Sequence, residues 1–300
     1  MKRILPLLVL LIACRYEGPA SLDEVGRTAD GNASQAQNEK WRERRLARLT
    51  AADGWLSLVG LFWLDEGSND VSLPIAPPRT AHVNLENGQI TLQPDAAFTI
   101  VGQAVTAATV LRDDTGASGP TLVRSGSLSF TAIKRGDLHG QRYGIRARDP
   151  QSEPRRHFVG LDYFPFDAAW RVTARFEPYD PPRKILITNV LGMISEEVSP
   201  GALLFDLQGQ TVRLDPILEQ GEKDLFIIFK DPTAGTETYG AARYLYASPP
   251  DAEGKTIVDF NRAYNPPCAF TPFATCPLPP LQNRMKIRIE AGEKTYAGHH

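Results

Sequence analysis

The densest run of chemically capable side chains lies at residues 259–265. There Asp259, Asn261, Arg262, Tyr264 and Asn265 bring a carboxylate, two amides, a guanidinium and a phenol into one short stretch. If 255–260 is a strand, Asp259 and Asn261 project to one face and Phe260 to the other, because side chains alternate along an extended chain. Arg243, one strand earlier, is placed to reach the same face. Together with Asn283 and Glu293, such a set suits a polar or anionic small ligand, with arginine supplying paired hydrogen bonds to an oxyanion. In an enzyme, a hydrolase of an envelope substrate, Asp259 or Glu293 would act as general acid or base and the arginines would stabilise developing charge. The opposing reading is a hydrogen-bond network that staples a loop onto the sheet, since buried polar groups need partners, in a purely structural or interaction protein with no small-molecule site. Pro266, Pro267, Pro277, Pro279 and Pro280 fix φ and remove backbone donors, which makes this stretch a rigid loop.

The same loop holds Cys268 and Cys276. Of three cysteines, Cys14 has a separate use described below, which leaves an even pair in an oxidising compartment. The expectation is a disulfide, worth about 2.5 kcal/mol in the chain-entropy model for so small a loop. A nucleophilic Cys268 would need a nearby base, and the segment has no histidine; a zinc site would lack further ligands. The histidines (His82, His139, His157, His299 and His300) are scattered without ligand spacing, so no metal is expected. Phosphate-binding glycine loops, H-E-x-x-H and G-x-S-x-G are absent, so the sequence names no cofactor and no catalytic residue. A formal net charge of -2 with no basic stripe argues against nucleic acid as a partner. Nothing points to a particular protein partner.

The elements that must position these groups read as mainly β. Residues 39–50, with Trp41, Leu46 and Leu49 among charges, predict a short amphipathic N-terminal helix. The apolar run Trp55–Leu64 is too short to cross a bilayer and reads as buried core. Strands are expected at 81–85 and 89–93 around an Asn87-Gly88 turn, then at 97–102, 106–111, 121–125, 127–133 and 141–147. After a proline-rich crossing at 150–167 they recur at 170–176, 184–190, 202–207, 211–215, 224–230, 241–247, 255–260 and 285–290. Many short strands with dense turns and no βαβ alternation predict an antiparallel sandwich or barrel.

Several stretches carry a resemblance: DGWLSLVGLFWLDEG, DPTAGTETYGAARYLY, DFNRAYNPPCAFTPFATCPLPPLQNR and AGEK. Together, from about residue 41 to 296, they resemble the uncharacterised bacterial and archaeal domain-of-unknown-function family 1684. The resemblance implies membership without a mechanism, since no activity or cofactor comes with it.

The N-terminus supplies an address. Lys2 and Arg3 precede an apolar stretch, Ile4–Ala13, whose roughly 15 Å as a helix is half a hydrocarbon core. It reads as a signal peptide over 1–13 that ends in Leu11-Ile12-Ala13-Cys14, which resembles a lipobox. The expected protein is a lipoprotein anchored through lipid on Cys14, with a flexible tether over 14–38 and one β-rich domain over 39–296. Its expected location is the cell envelope; in a Gram-negative host, Arg15 after the cysteine favours the periplasmic face of the outer membrane.

Overall fold

The structure is a computed structural model that describes residues 31–298 apart from Gln220. Cys14, the expected signal segment and the expected tether up to residue 30 lie outside the described residues. Helix α1 spans Gly31–Thr50, so residues 31–38, expected as the end of the tether, form its first turns. Ser34 and Asn38 are buried and prolong the stripe of Trp41, Arg45 and Leu49 at spacings of three and four. Those two side chains are polar, so no apolar periodicity announces the extension. No described helix is long and apolar enough to cross a membrane.

The fold is mainly β, and its strand ladders are antiparallel. A single 3-10 turn at Trp55–Ser57 leads into the first part of the fold. That part comprises β1 (Leu58–Trp63), β2 (Gly67–Leu73), β3 (Arg79–Glu86), β4 (Gln89–Leu92) and β5 (Asp95–Ile100). It continues with β6 (Gln103–Val105), β7 (Thr109–Leu111), β8 (Val123–Ser125), β9 (Leu128–Asp137) and β10 (Gly140–Arg148). Six strands in the order β1-β10-β9-β8-β5-β6 face four in the order β2-β3-β4-β7. Asn87 and Gly88 both take positive φ, 51° and 80°, so they close the β3–β4 hairpin as the sequence predicts. Val83, Leu92 and Leu111 from one sheet meet Phe98, Phe130 and Ile145 from the other in a single apolar cluster.

The second part follows a short helix α2 (Glu153–Arg156). It comprises β11 (Arg171–Thr188), β12 (Ile194–Leu207), β13 (Gln210–Leu214), β14 (Ile217–Leu218), β15 (Leu225–Phe229), β16 (Arg243–Ala247) and β17 (Lys255–Asp259). The orders are β13-β12-β11-β17 and β14-β15-β16. β15 is buried throughout: Leu225, Ile227 and Phe229 enter one apolar cluster, and Phe226 and Ile228 enter another on its opposite face. The strands expected separately at 170–176 and 184–190 are joined in the long β11, which continues after a register shift between Pro178 and Arg183. The strand expected at 285–290 does not form. Its alternation is real, with Ile287 and Ile289 buried, but a carboxylate and isolated bridges hold this backbone in place of a ladder.

Candidate functional site

Arg243, at the head of β16, is 1% exposed. Its Nη2 donates to Asp231 Oδ1 (2.6 Å) and to the Ile289 carbonyl (2.9 Å), and its Nη1 donates to the Ala291 carbonyl (2.6 Å). Asp231 is bonded as fully: Thr233 Oγ1 donates to its Oδ1, and the Thr233 and Ile289 N–H groups donate to its Oδ2. Burial lowers the Arg243 pKa and the Asp231 carboxylate opposes that shift. The pair therefore holds the irregular 285–291 segment against the sheet.

Asp259, Asn261 and Arg262 form a second cluster just after β17. Asp259 Oδ1 accepts from the Asn261 N–H and side-chain amide at 3.1 and 3.0 Å, and Asp259 Oδ2 lies 3.5 Å from Arg262 Nε. The Asn261 amide also clamps residue 167: its Oδ1 accepts from the Asp167 N–H (3.1 Å) and its Nδ2 donates to the Asp167 carbonyl (2.9 Å). Arg262 is held below its ordinary pKa by burial, with Asp259 opposing and Arg171 and Arg44 assisting.

A third cluster joins α1 to the C-terminal loop. Glu293 is fully buried. Arg45 Nε donates to its Oε1 (2.8 Å) and the Asn265 N–H donates to its Oε2 (2.8 Å). Arg45 Nη2 also reaches the Asn265 carbonyl (2.9 Å), and the guanidinium lies 4.8 Å from the centre of the Tyr264 ring. Burial, the largest single influence, acts to lower the Arg45 pKa, but the Glu293 charge and hydrogen bond together with Tyr264 and Tyr163 outweigh it and the net shift is upward. Beside them Tyr163 is pushed up by burial and by Glu293. The Asn265 amide donates to the Lys294 carbonyl (2.7 Å) while its Oδ1 is buried without a partner.

Asn283 stands apart from all three. It accepts from the Asp215 N–H (2.8 Å) and donates to the carbonyls of Asp215 and Ile228 (2.9 Å each). Cys268 and Cys276 are both buried free thiols, so the expected disulfide is not formed. Cys276 Sγ accepts the Cys268 N–H at 3.1 Å. The loop is pinned without a covalent bridge, by the Tyr239 hydroxyl on the Cys268 carbonyl (3.1 Å) and the Tyr244 hydroxyl on the Pro277 carbonyl (2.9 Å). A mutual hydrogen bond lowers the Cys268 pKa, whereas burial raises that of Cys276.

The residues singled out in the sequence are thus near one another in the fold but do not converge. Asp259 and Asn261 share a cluster, as expected, whereas Arg243 faces Asp231. Asn265 meets Glu293 directly, Tyr264 meets it through Arg45, and Asn283 bonds elsewhere. Sequence reasoning passed over Asp231, Asp167 and Arg45. Arg45 had a legible signal, standing midway between Trp41 and Leu49 on the buried stripe of α1. Open space lies to one side of these clusters. A groove of about 500 Å³ is lined by Lys230, Asp231, Ala241, Arg284 and Met285. A second, of about 530 Å³, shares Leu278, Pro279 and Arg284 with it and extends to Leu186 and Leu281.

Residues 156–294 match the model of the family described as "Protein of unknown function (DUF1684)". The stretch around Trp55–Leu64 lies outside that match. The chain is also similar to an uncharacterized protein of Haloarcula marismortui solved by NMR in solution. The two are 31% identical over 48% of this chain and 81% of the other, with a TM-score of 0.41. No curated protein matches.

Proposed function

We propose that this chain, a member through residues 156–294 of the family described as "Protein of unknown function (DUF1684)", is an exported lipoprotein tethered by lipid on Cys14 whose second β unit binds a small polar or anionic ligand. Of the residues first considered for that ligand, Arg243, Asp259, Asn261, Arg262, Asn265, Asn283 and Glu293 are at least nine-tenths buried and spend hydrogen-bonding capacity inside the protein. In this reading they are the frame, and the ligand sits in the adjoining groove at Lys230 and Arg284.

One observation carries the reading. The carboxylate lining this groove, Asp231, is neutralised by Arg243 at 2.6 Å, so Lys230 and Arg284 leave the groove cationic. Thermal-shift titration of the processed protein with citrate, inorganic phosphate and acetate tests it. The expected result is stabilisation that Arg284→Ala and Lys230→Ala each abolish without lowering the melting temperature of the free protein. No response to any anion would sink the binding reading. The anchor has its own test: Cys14→Ala moves the protein from the membrane to the soluble fraction, and an unacylated wild-type N-terminus by intact mass would overturn it.

A further inference from the structure

The groove ends against a strand edge whose partner stops short. β11 pairs with β12 along one side, with Ile187 opposite Ser195 and Ile185 opposite Glu197. On its other side the segment 276–278 begins a ladder. The Leu278 N–H donates to the Thr188 carbonyl (2.8 Å), the Val190 N–H donates to the Cys276 carbonyl (2.9 Å), and Asn189 bridges Pro277. Peptide groups on a strand point alternately to its two sides, so those of Leu186 and Lys184 point the same way as Thr188, away from β12. Continued in register, the ladder would bring the N–H of residue 280 to the Leu186 carbonyl, but residue 280 is proline, as is residue 279. The segment leaves the edge there, and among the described residues Leu186 has no backbone partner on this side. Leu186 is 58% exposed and Leu281, across the gap, is 76% exposed. Pro181 and Pro182 close the far end of the edge.

We propose that this gap takes an extended peptide segment bearing a carboxylate, which adds as a strand to the Lys184–Leu186 edge of β11. The two prolines keep the gap open, Leu186 and Leu281 receive an apolar side chain, and Arg284, which lines both grooves, receives the acidic one. The length is bounded by the prolines at both ends to about five residues, or roughly 16 Å of strand. The proposal deepens the binding reading above by naming the ligand as a peptide, and it rests on the same cationic groove.

The test is binding of a fluorescein-labelled Val-Glu-Val-Glu-Val peptide to the processed full chain, read by anisotropy and by amide hydrogen exchange. The expected result is one-to-one binding that slows exchange at Leu186. Arg284→Glu weakens it on the order of tenfold, and so does Leu186→Pro, which removes the outward N–H. Because Leu186→Pro also risks the strand, Leu186→Asp, which keeps the peptide group, supplies a second variant and also weakens binding. Peptide binding with unchanged exchange at Leu186 overturns strand addition. A response to citrate and none to the peptide overturns this inference while the small-anion reading survives. Concentration-dependent dimers that protect Leu186 without peptide also overturn it, by assigning the edge to a second copy of the chain.

Discussion

The two β units solve the same problem by different means. In the first, residues 58–148, regular ladders satisfy most of the backbone, and the interior is filled by side chains such as Val83, Leu92, Phe98 and Phe130. In the second, long stretches at 231–242 and 260–298 contain no strand of the named sheets. Turn and loop backbone bonds meet many of their peptide groups, and buried side chains meet others: Arg243 on the Ile289 and Ala291 carbonyls, Asp231 on the Ile289 N–H and Glu293 on the Asn265 N–H, while Asn283 reaches out to Asp215 and Ile228. Irregular backbone packed against a core needs such partners, because an unpaired buried amide costs about 1–3 kcal/mol. A concentration of polar residues in a sequence can therefore mark a scaffold as readily as a site. Here it borders the open groove without lining most of it.

Asp231→Ala leaves Arg243 buried without its counter-charge and should cost about 3–5 kcal/mol in urea unfolding. Replacing both members, Arg243→Met with Asp231→Leu, should be milder than Asp231→Ala alone; equal or greater loss would show that the carbonyl contacts dominate. In the first unit, Leu92→Ala should cost about 2–5 kcal/mol through an unfilled cavity, with no dependence on salt. Asn283→Ala strands the Asp215 N–H and two carbonyls, with an expected loss of about 1–3 kcal/mol. A loss below the measurement error would remove Asn283 from the frame.

The smallest effect concerns pH. Burial raises the Glu219 pKa above its ordinary 4.5, although the Tyr246 hydroxyl, 2.7 Å from its Oε2, acts in the opposite direction. A carboxyl group with a higher pKa in the folded state holds its proton more tightly there than in the unfolded chain. Its contribution to stability is therefore present at pH below 4.5 and fades as pH rises through the folded value. Glu219→Gln should flatten that decline in pH-dependent unfolding. An unchanged slope would mean that Glu219 ionises as readily in the folded protein as in the unfolded one.

Much of the strand pattern was legible. The Asn87-Gly88 hairpin and the strands near 127–133, 141–147, 211–215 and 224–230 emerged from alternation and turn chemistry, which are local. β2 was missed because Gly67–Asp70 is polar and half exposed, and the strand expected at 285–290 failed because its neighbours are loops. Helix α1 was legible where Trp41 and Leu49 mark it and hidden where Ser34 and Asn38 serve as its buried contacts. At the candidate site, the proline-rich loop and its polar content were plain, but the partners were not. Asp167 lies 94 positions from Asn261, and Arg45 lies 248 from Glu293. Nor did counting cysteines show that Cys276 would accept the Cys268 N–H while both thiols stay free.

Residue types alone determined that the chain is mainly β, that a rigid loop follows β17, and that this loop carries charge and amide groups, because propensity, turn geometry and the proline ring act over a few residues. Only the tertiary structure decided which partner each buried group has, and that the open cationic groove lies at Lys230 and Arg284 and not among the polar cluster itself. Hydrogen-bond pairing and desolvation depend on what distant segments bring within 3 Å or so, and no local pattern encodes that.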